Sequence, residues 1–237
     1  MRSTVEERAR SLTAMRAEIH EDVQRFRTGL VEMASLVLSQ VERGVSAWEH
    51  VDAATATAVI EGDDDVDERC VALDAMIFTL QTTEGISVAE QRLLHVGLIA
   101  TVALERVGDL AVAIAEQARS VRPEGTVPEV QALIGRMSAR GIDALANAVQ
   151  GIARGDVEQG ELAAIEARNV RRMLGELLEV VARAPDEPET RAWSAAAVLV
   201  GRHLERVANN GAELGGRIRF MTTGEPFVRA GGMDAPG

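Results

Sequence analysis

Glu105 and Asp109 stand four residues apart inside LERVGDLAVAIAEQA (104–118), a run that otherwise reads as a strong apolar helix. Carboxylates at i and i+4 share one helix face and repel each other by roughly 0.2–0.5 kcal/mol. A neighbouring arginine, solvent or a cation must offset that repulsion. A second acidic group precedes it: Asp63, Asp64, Asp65, Asp67 and Glu68 crowd about two turns of a helical pattern. Aspartate is a poor helix former, so such crowding suits a frayed helix end or a face neutralised by a cation. A weaker copy of the first phrase, LERVANNGAELGGR, begins at Leu204; it keeps Glu205 but places Asn209 at the i+4 position. Paired carboxylate oxygens suit a hard or borderline metal ion. The competing reading is a solvated acidic face with local help from Arg106.

Other chemistries find no support in the residue pattern. There is no lysine, and so no G-x-x-x-x-G-K-[ST] phosphate loop. No Glu-x-x-His pair of the di-iron bundle type is present. The single cysteine, Cys70, cannot build a disulfide framework and reads as a small core residue. His203 falls on an inward stripe with Val200 and Val207, where a hydrogen-bonded core histidine is expected. The net charge of -12, with 3% aromatic residues and no tyrosine, argues against nucleic acid as a partner.

Helices must position these groups. Prolines are absent before residue 123 and then fall at 123, 128, 185, 188, 226 and 236, marking joints between long helical segments. Apolar residues at steps of three and four (Ile19, Val23, Phe26, Leu30, Met33, Val37, Val41) describe a first helix reaching about Trp48. A second is expected from the cap residue Asp52 through Val59, Val66, Cys70, Leu73, Ile77 and Leu80. The turn 82–87 leads to a third, with a seam through Leu93, Val96, Ala100, Ala103, Val107, Leu110 and Ile114. After the loop 121–128 the pattern restarts. A fourth helix carries Val130, Leu133, Met137, Ile142, Leu145 and Val149. A fifth follows the Gly155-Asp156 joint through Leu162, Ile165, Val170, Met173, Leu177 and Val181, and a sixth runs from about Arg191 to Met221. The expected fold is all-α: two tandem three-helix bundles, 1–122 and 123–224, joined end to end in a pseudo-twofold repeat, with a flexible tail at 225–237. The N-terminus lacks the apolar core of a signal peptide. The longest stretch without a charged residue, Leu93 to Leu104, is well short of the ~20 residues of a membrane span. A cytoplasmic protein that meets membranes only through partners is expected.

The phrases VIEGDDDVD (59–67), LERVGDLAVAIAE (104–116) and LERVANNGAELGGRIRFMTTGE (204–225), in this order, resemble the PhoU family of phosphate-uptake regulators. The resemblance implies a non-enzymatic cytoplasmic regulator of phosphate uptake and phosphate-starvation signalling. It implies binding to the ATP-binding subunit of a phosphate ABC transporter and to a membrane sensor histidine kinase; a homodimer is compatible with it. Several family members hold iron or zinc on E/D-x-x-x-D motifs, which here fall on Asp63, Asp67, Glu105 and Asp109. In the second half only Glu205 survives, with Asn209 and Arg171 at the matching positions. That arginine supplies the positive charge a metal would otherwise bring, so no metal is expected there. The alternative is a metal-storage or metal-dependent hydrolytic bundle using the same carboxylates.

Overall fold

A computed structural model describes residues 2–226, with side chains from residue 13 onward. Among them the backbone is helical and contains no strand. The helices are α1 (Arg2–His50), α2 (Ala53–Glu61), α3 (Asp63–Thr82), α4 (Val88–Ser120), α5 (Pro128–Arg154), α6 (Val157–Val181) and α7 (Pro188–Thr223), with one 3-10 turn at Pro123–Gly125. The expected tail lies outside the described residues from 227 onward.

Local chemistry sets the ends of these helices. Asp52 accepts from the backbone N–H groups of Ala54 (3.0 Å) and Thr55 (3.2 Å) and so starts α2. Ser87 and Glu90 close a reciprocal capping box on α4. Gly155 adopts φ +71° to stop α5, and Asp156 caps α6 through the Glu158 N–H. The matching joint between α1 and α2 uses Val51 at φ +51°, a strained conformation for a β-branched residue.

The second expected helix is in fact two. Gly62 separates α2 from α3, and the Gln40 side chain donates to its carbonyl at 2.6 Å. The break falls where three aspartates begin, and these now occupy the first turn of α3. There the partial positive charge of the helix N-terminus favours them.

The stripes of α1 and α4 are buried as the periodicity requires, and α5 follows except at Ile142, which is half-buried beside the inward Gly141. On α6 the inward face is rotated. Leu162 and Ile165 are exposed, while Gly160, Ala163 and Ala167 face the core. The cause is a close approach to α7: a Cβ on Gly160 would lie 2.4 Å from the Gly215 carbonyl oxygen. Only small side chains fit between helix axes that near.

Helices α1 to α4 pack as one triplet, with α2 and α3 sharing one position, and α5 to α7 pack as another. The two lie alongside each other, not end to end as the sequence suggested. Helix α1 runs antiparallel to α5, because Arg27 reaches Ala153 O while Gln131 reaches Glu49 O. Helix α4 runs antiparallel to α7, because Arg92 donates to Met221 O at 3.1 Å while Gly125 abuts Glu189. Each central helix thus pairs with its counterpart in the opposite direction, as a twofold axis across the helices requires. Side-by-side docking buries long apolar faces where end-to-end docking would bury only tips. Trp48 and Trp193 meet in this interface with ring centroids 4.7 Å apart.

The α6–α7 contact generates a pair of stability predictions of opposite sign. Gly160→Ala should lower the unfolding free energy by about 2 kcal/mol, since backbone must move to admit the methyl. Gly175→Ala has nothing within 4 Å of its new Cβ and should raise it by roughly 0.5–1 kcal/mol through helix propensity alone. Urea denaturation midpoints of the two variants check both signs.

Candidate functional site

Asp63 and Asp67 on α3 and Glu105 and Asp109 on α4 converge on one outer face of the first triplet. The junction at Gly62 sets the register of α3, so that Val66 enters the core while Asp63 lies over α4. Gly108 makes the room: a Cβ there would come within 3.2 Å of the Asp63 carboxylate oxygen and of a Val66 methyl. Sequence reasoning missed this glycine. Its signal was a glycine between two acids, in the middle of a run that otherwise favours helix.

The electrostatics show the convergence. Burial first, then the charges of Asp67, Asp109 and Asp64, raises the Asp63 pKa above the ordinary aspartate range. Burial, then Asp109 and Asp67, raises that of Glu105, and Arg106 opposes this only in part. Cys70 is half-buried beside the acids, not in the core. Burial, then Asp74, Glu105 and Asp67, pushes its thiol up, so it stays protonated near neutrality. The donor set is all oxygen, carries excess negative charge and has a glycine cradle, which fits a hard or borderline cation. Among the described residues no three His, Cys, Asp or Glu side chains stand together at ligating positions, and holding an ion there would require the carboxylates to rotate inward. Asp67 and Asp109 are exposed and free to do so.

The second triplet answers the same problem differently. Glu205 is only 7% exposed, and Arg202 holds it at 2.5 Å while Arg171 Nε lies 3.6 Å from its other oxygen. Arg171 also donates to Asn209 Oδ1 at 3.3 Å. Arg171 thus sets a positive charge beside Glu205. Sequence reasoning missed Arg202, three residues before Glu205 and one turn away. His203, near α4, departs from expectation: burial and then Arg206 lower its pKa, and its Nδ1 has no hydrogen-bond partner among the described residues.

Side-by-side helical triplets with charge clusters on their outer faces define the class: an all-α protein of two paired three-helix bundles. The PhoU domain family matches residues 30–118. The chain is 26% identical over 217 residues to phosphate-specific transport system accessory protein PhoU homolog 1 of Mycobacterium leprae, covering 89% of this chain and 95% of that one. It is 23% identical over 218 residues to the PhoU accessory protein of Escherichia coli, covering 91% and 89%. The crystal structure of PhoU from Pseudomonas aeruginosa superposes with a TM-score of 0.78 at 21% identity, covering 86% of this chain and 99% of that one. The phosphate transport system regulatory protein PhoU of Streptococcus pneumoniae does so at 0.79 and 19%, covering 90% and 99%. The match to the PhoU domain is thus confined to residues 30–118, while the similarity to proteins named PhoU runs along most of the chain. Those relatives are named as accessory and regulatory proteins of phosphate transport.

The raised carboxyl pKa values fix the sign of a pH effect in chelator-treated protein. A group whose folded pKa exceeds its unfolded value destabilises the fold when ionised, and the penalty fades as pH falls through the raised pKa. Glu105→Gln should therefore stabilise at pH 7 by roughly 0.5 kcal/mol, given the like-charge i,i+4 neighbour it removes. The gain should vanish toward about pH 4, where the ordinary carboxylate also protonates. Melting curves of variant and wild type across that range measure it.

Proposed function

We propose that the protein regulates phosphate uptake and phosphate-starvation signalling in the cytoplasm. It acts by binding the ATP-binding subunit of a phosphate ABC transporter and a membrane sensor histidine kinase. The observation that carries this reading is alignment along 89% and 91% of the chain with relatives named as phosphate-specific transport system accessory proteins. Among the described residues no helix is long and apolar enough to cross a membrane, in keeping with action through membrane-bound partners. The two helical sets, 1–122 and 123–224, are on this reading copies of one repeat that have diverged in charge.

The first copy carries the metal site. Asp63, Asp67, Glu105 and Asp109 hold one iron or zinc ion, which supplies positive charge that clamps α3 to α4. The protein's own contribution is the Gly108 cradle and the placement of two acids on each helix. The second copy clamps α6 to α7 with Arg171 and needs no ion.

A pull-down from cells with the tagged full chain should retain the transporter ATPase and the kinase, and deletion should derepress phosphate-starvation reporters. A pull-down that retains neither the transporter ATPase nor the kinase, with phosphate regulation unchanged on deletion, would sink the reading. For the metal, ferrous iron or zinc should raise the melting temperature of chelator-treated protein by several degrees, as ligand binding to the folded state demands. Asp67→Asn combined with Glu105→Gln should abolish that rise, and an undiminished rise in the double variant removes these residues from the site.

A further inference from the structure

On the outside of the second triplet, a groove of about 550 Å³ runs between α6 and α7 over their tight Gly160–Gly215 contact. Its walls carry Arg168, Arg171 and Arg219 together with Asn209, Glu161 and Glu213. We propose that this groove binds a short linear inorganic phosphate chain, separately from the acidic site and from the partner interactions.

The charge balance carries the argument in a chain whose net charge is -12. The carboxylates at the groove are each engaged: Glu161 with Arg219 at 3.5 Å, Glu213 with Arg217 at 2.9 Å, and Glu205 behind the wall with Arg202 at 2.5 Å. At the groove itself three arginines (168, 171 and 219) face two glutamates (161 and 213), Glu213 is also held by Arg217 outside the lining, and Arg168 has no ion pair among the described residues. The two contacts that tie Arg171 and Arg219 to glutamates are long, at 3.6 and 3.5 Å, and both arginines are more than half exposed. The Arg219–Glu161 pair is exposed on both sides and contributes little, so a denser anion displaces it readily, while Arg171 has guanidinium N–H groups left over beyond its contact with Glu205. Each guanidinium offers five N–H donors in a planar fork that matches phosphate oxygens.

The spacing favours a chain over a single phosphate. Asn209, beside Arg171, and Arg219 lie ten residues apart on α7, which spreads the positive charge over about 15 Å at 1.5 Å per residue. The floor is glycine and alanine, and no aromatic side chain lines the groove among the described residues. It offers nothing to stack a nucleobase or to seat peptide side chains, so the ligand's charge must lie in its backbone. The corresponding face of the first triplet has the opposite sign, with Asp67 where Arg171 stands.

Calorimetric titration of the full chain with inorganic tripolyphosphate tests this, with orthophosphate, ADP and a glutamate oligopeptide as competing arms. Saturable binding of tripolyphosphate, at least about tenfold tighter than any of the three, is expected and should be unaffected by EDTA. Arg168→Gln and Arg219→Gln should each weaken it about tenfold, the loss of a charge-assisted contact, while Arg168→Lys retains most of the affinity. Unchanged urea midpoints in these surface variants separate lost binding from lost folding. No saturable binding at millimolar tripolyphosphate overturns the proposal, as does full affinity in the Arg168→Gln/Arg219→Gln double variant. Equal binding of the glutamate peptide, or loss of binding in EDTA, overturns it in favour of an acidic peptide or of anion capture through a bound metal.

Discussion

Two helical triplets share one apolar core, and side chains from each close open helix ends on the other. Arg27 of α1 satisfies a carbonyl in the last turn of α5, Gln131 of α5 does the same for α1, and Arg92 of α4 reaches the end of α7. The last carbonyls of a helix have no partner inside it, and burying them bare costs on the order of 1–3 kcal/mol each. Positively charged donors at helix C-termini also oppose the partial negative charge there. These contacts fix the sliding register of one triplet against the other. Register in turn decides which faces remain outside, and both charged clusters lie on those outer faces.

On each outer face the fold meets one difficulty, close packing of a helix pair that carries buried or half-buried acids. The first triplet leaves it open: Asp63 and Glu105 hold elevated pKa values, and Arg106 opposes the rise in part at Glu105 alone. The second closes it with protein groups, Arg171 and Arg202 against Glu205. A site with unspent negative charge is responsive, because its stability depends on what the solution supplies. A site neutralised by arginine is fixed at every physiological pH, since guanidinium does not give up its proton there.

Much of this was legible in the sequence where the determinants are local. The stripe from Ile19 to Val41, the seam from Leu93 to Ile114, the Asp52 cap and the Gly155-Asp156 joint all follow from spacings under eight residues. The break at Gly62 was not legible, because it depends on Gln40, which reaches its carbonyl from the neighbouring helix. The exposure of Leu162 and Ile165 depends likewise on Gly215, some fifty residues away, and periodicity alone favoured the larger side chains. Side-by-side docking hid in residues such as Arg27 and Arg92, whose types suggest ordinary solvated positions and whose partners lie more than a hundred residues distant.

The reciprocal closure of helix ends has a thermodynamic consequence. If one triplet opened alone, it would strip hydrogen-bond partners from the other and bare the face around Trp48 and Trp193. The halves therefore melt as one cooperative unit despite their separate outer surfaces. Any solute that holds either surface shut raises the unfolding free energy of the whole chain. An event on one flank is thus felt on the far flank through shared stability, with no helix having to change its position.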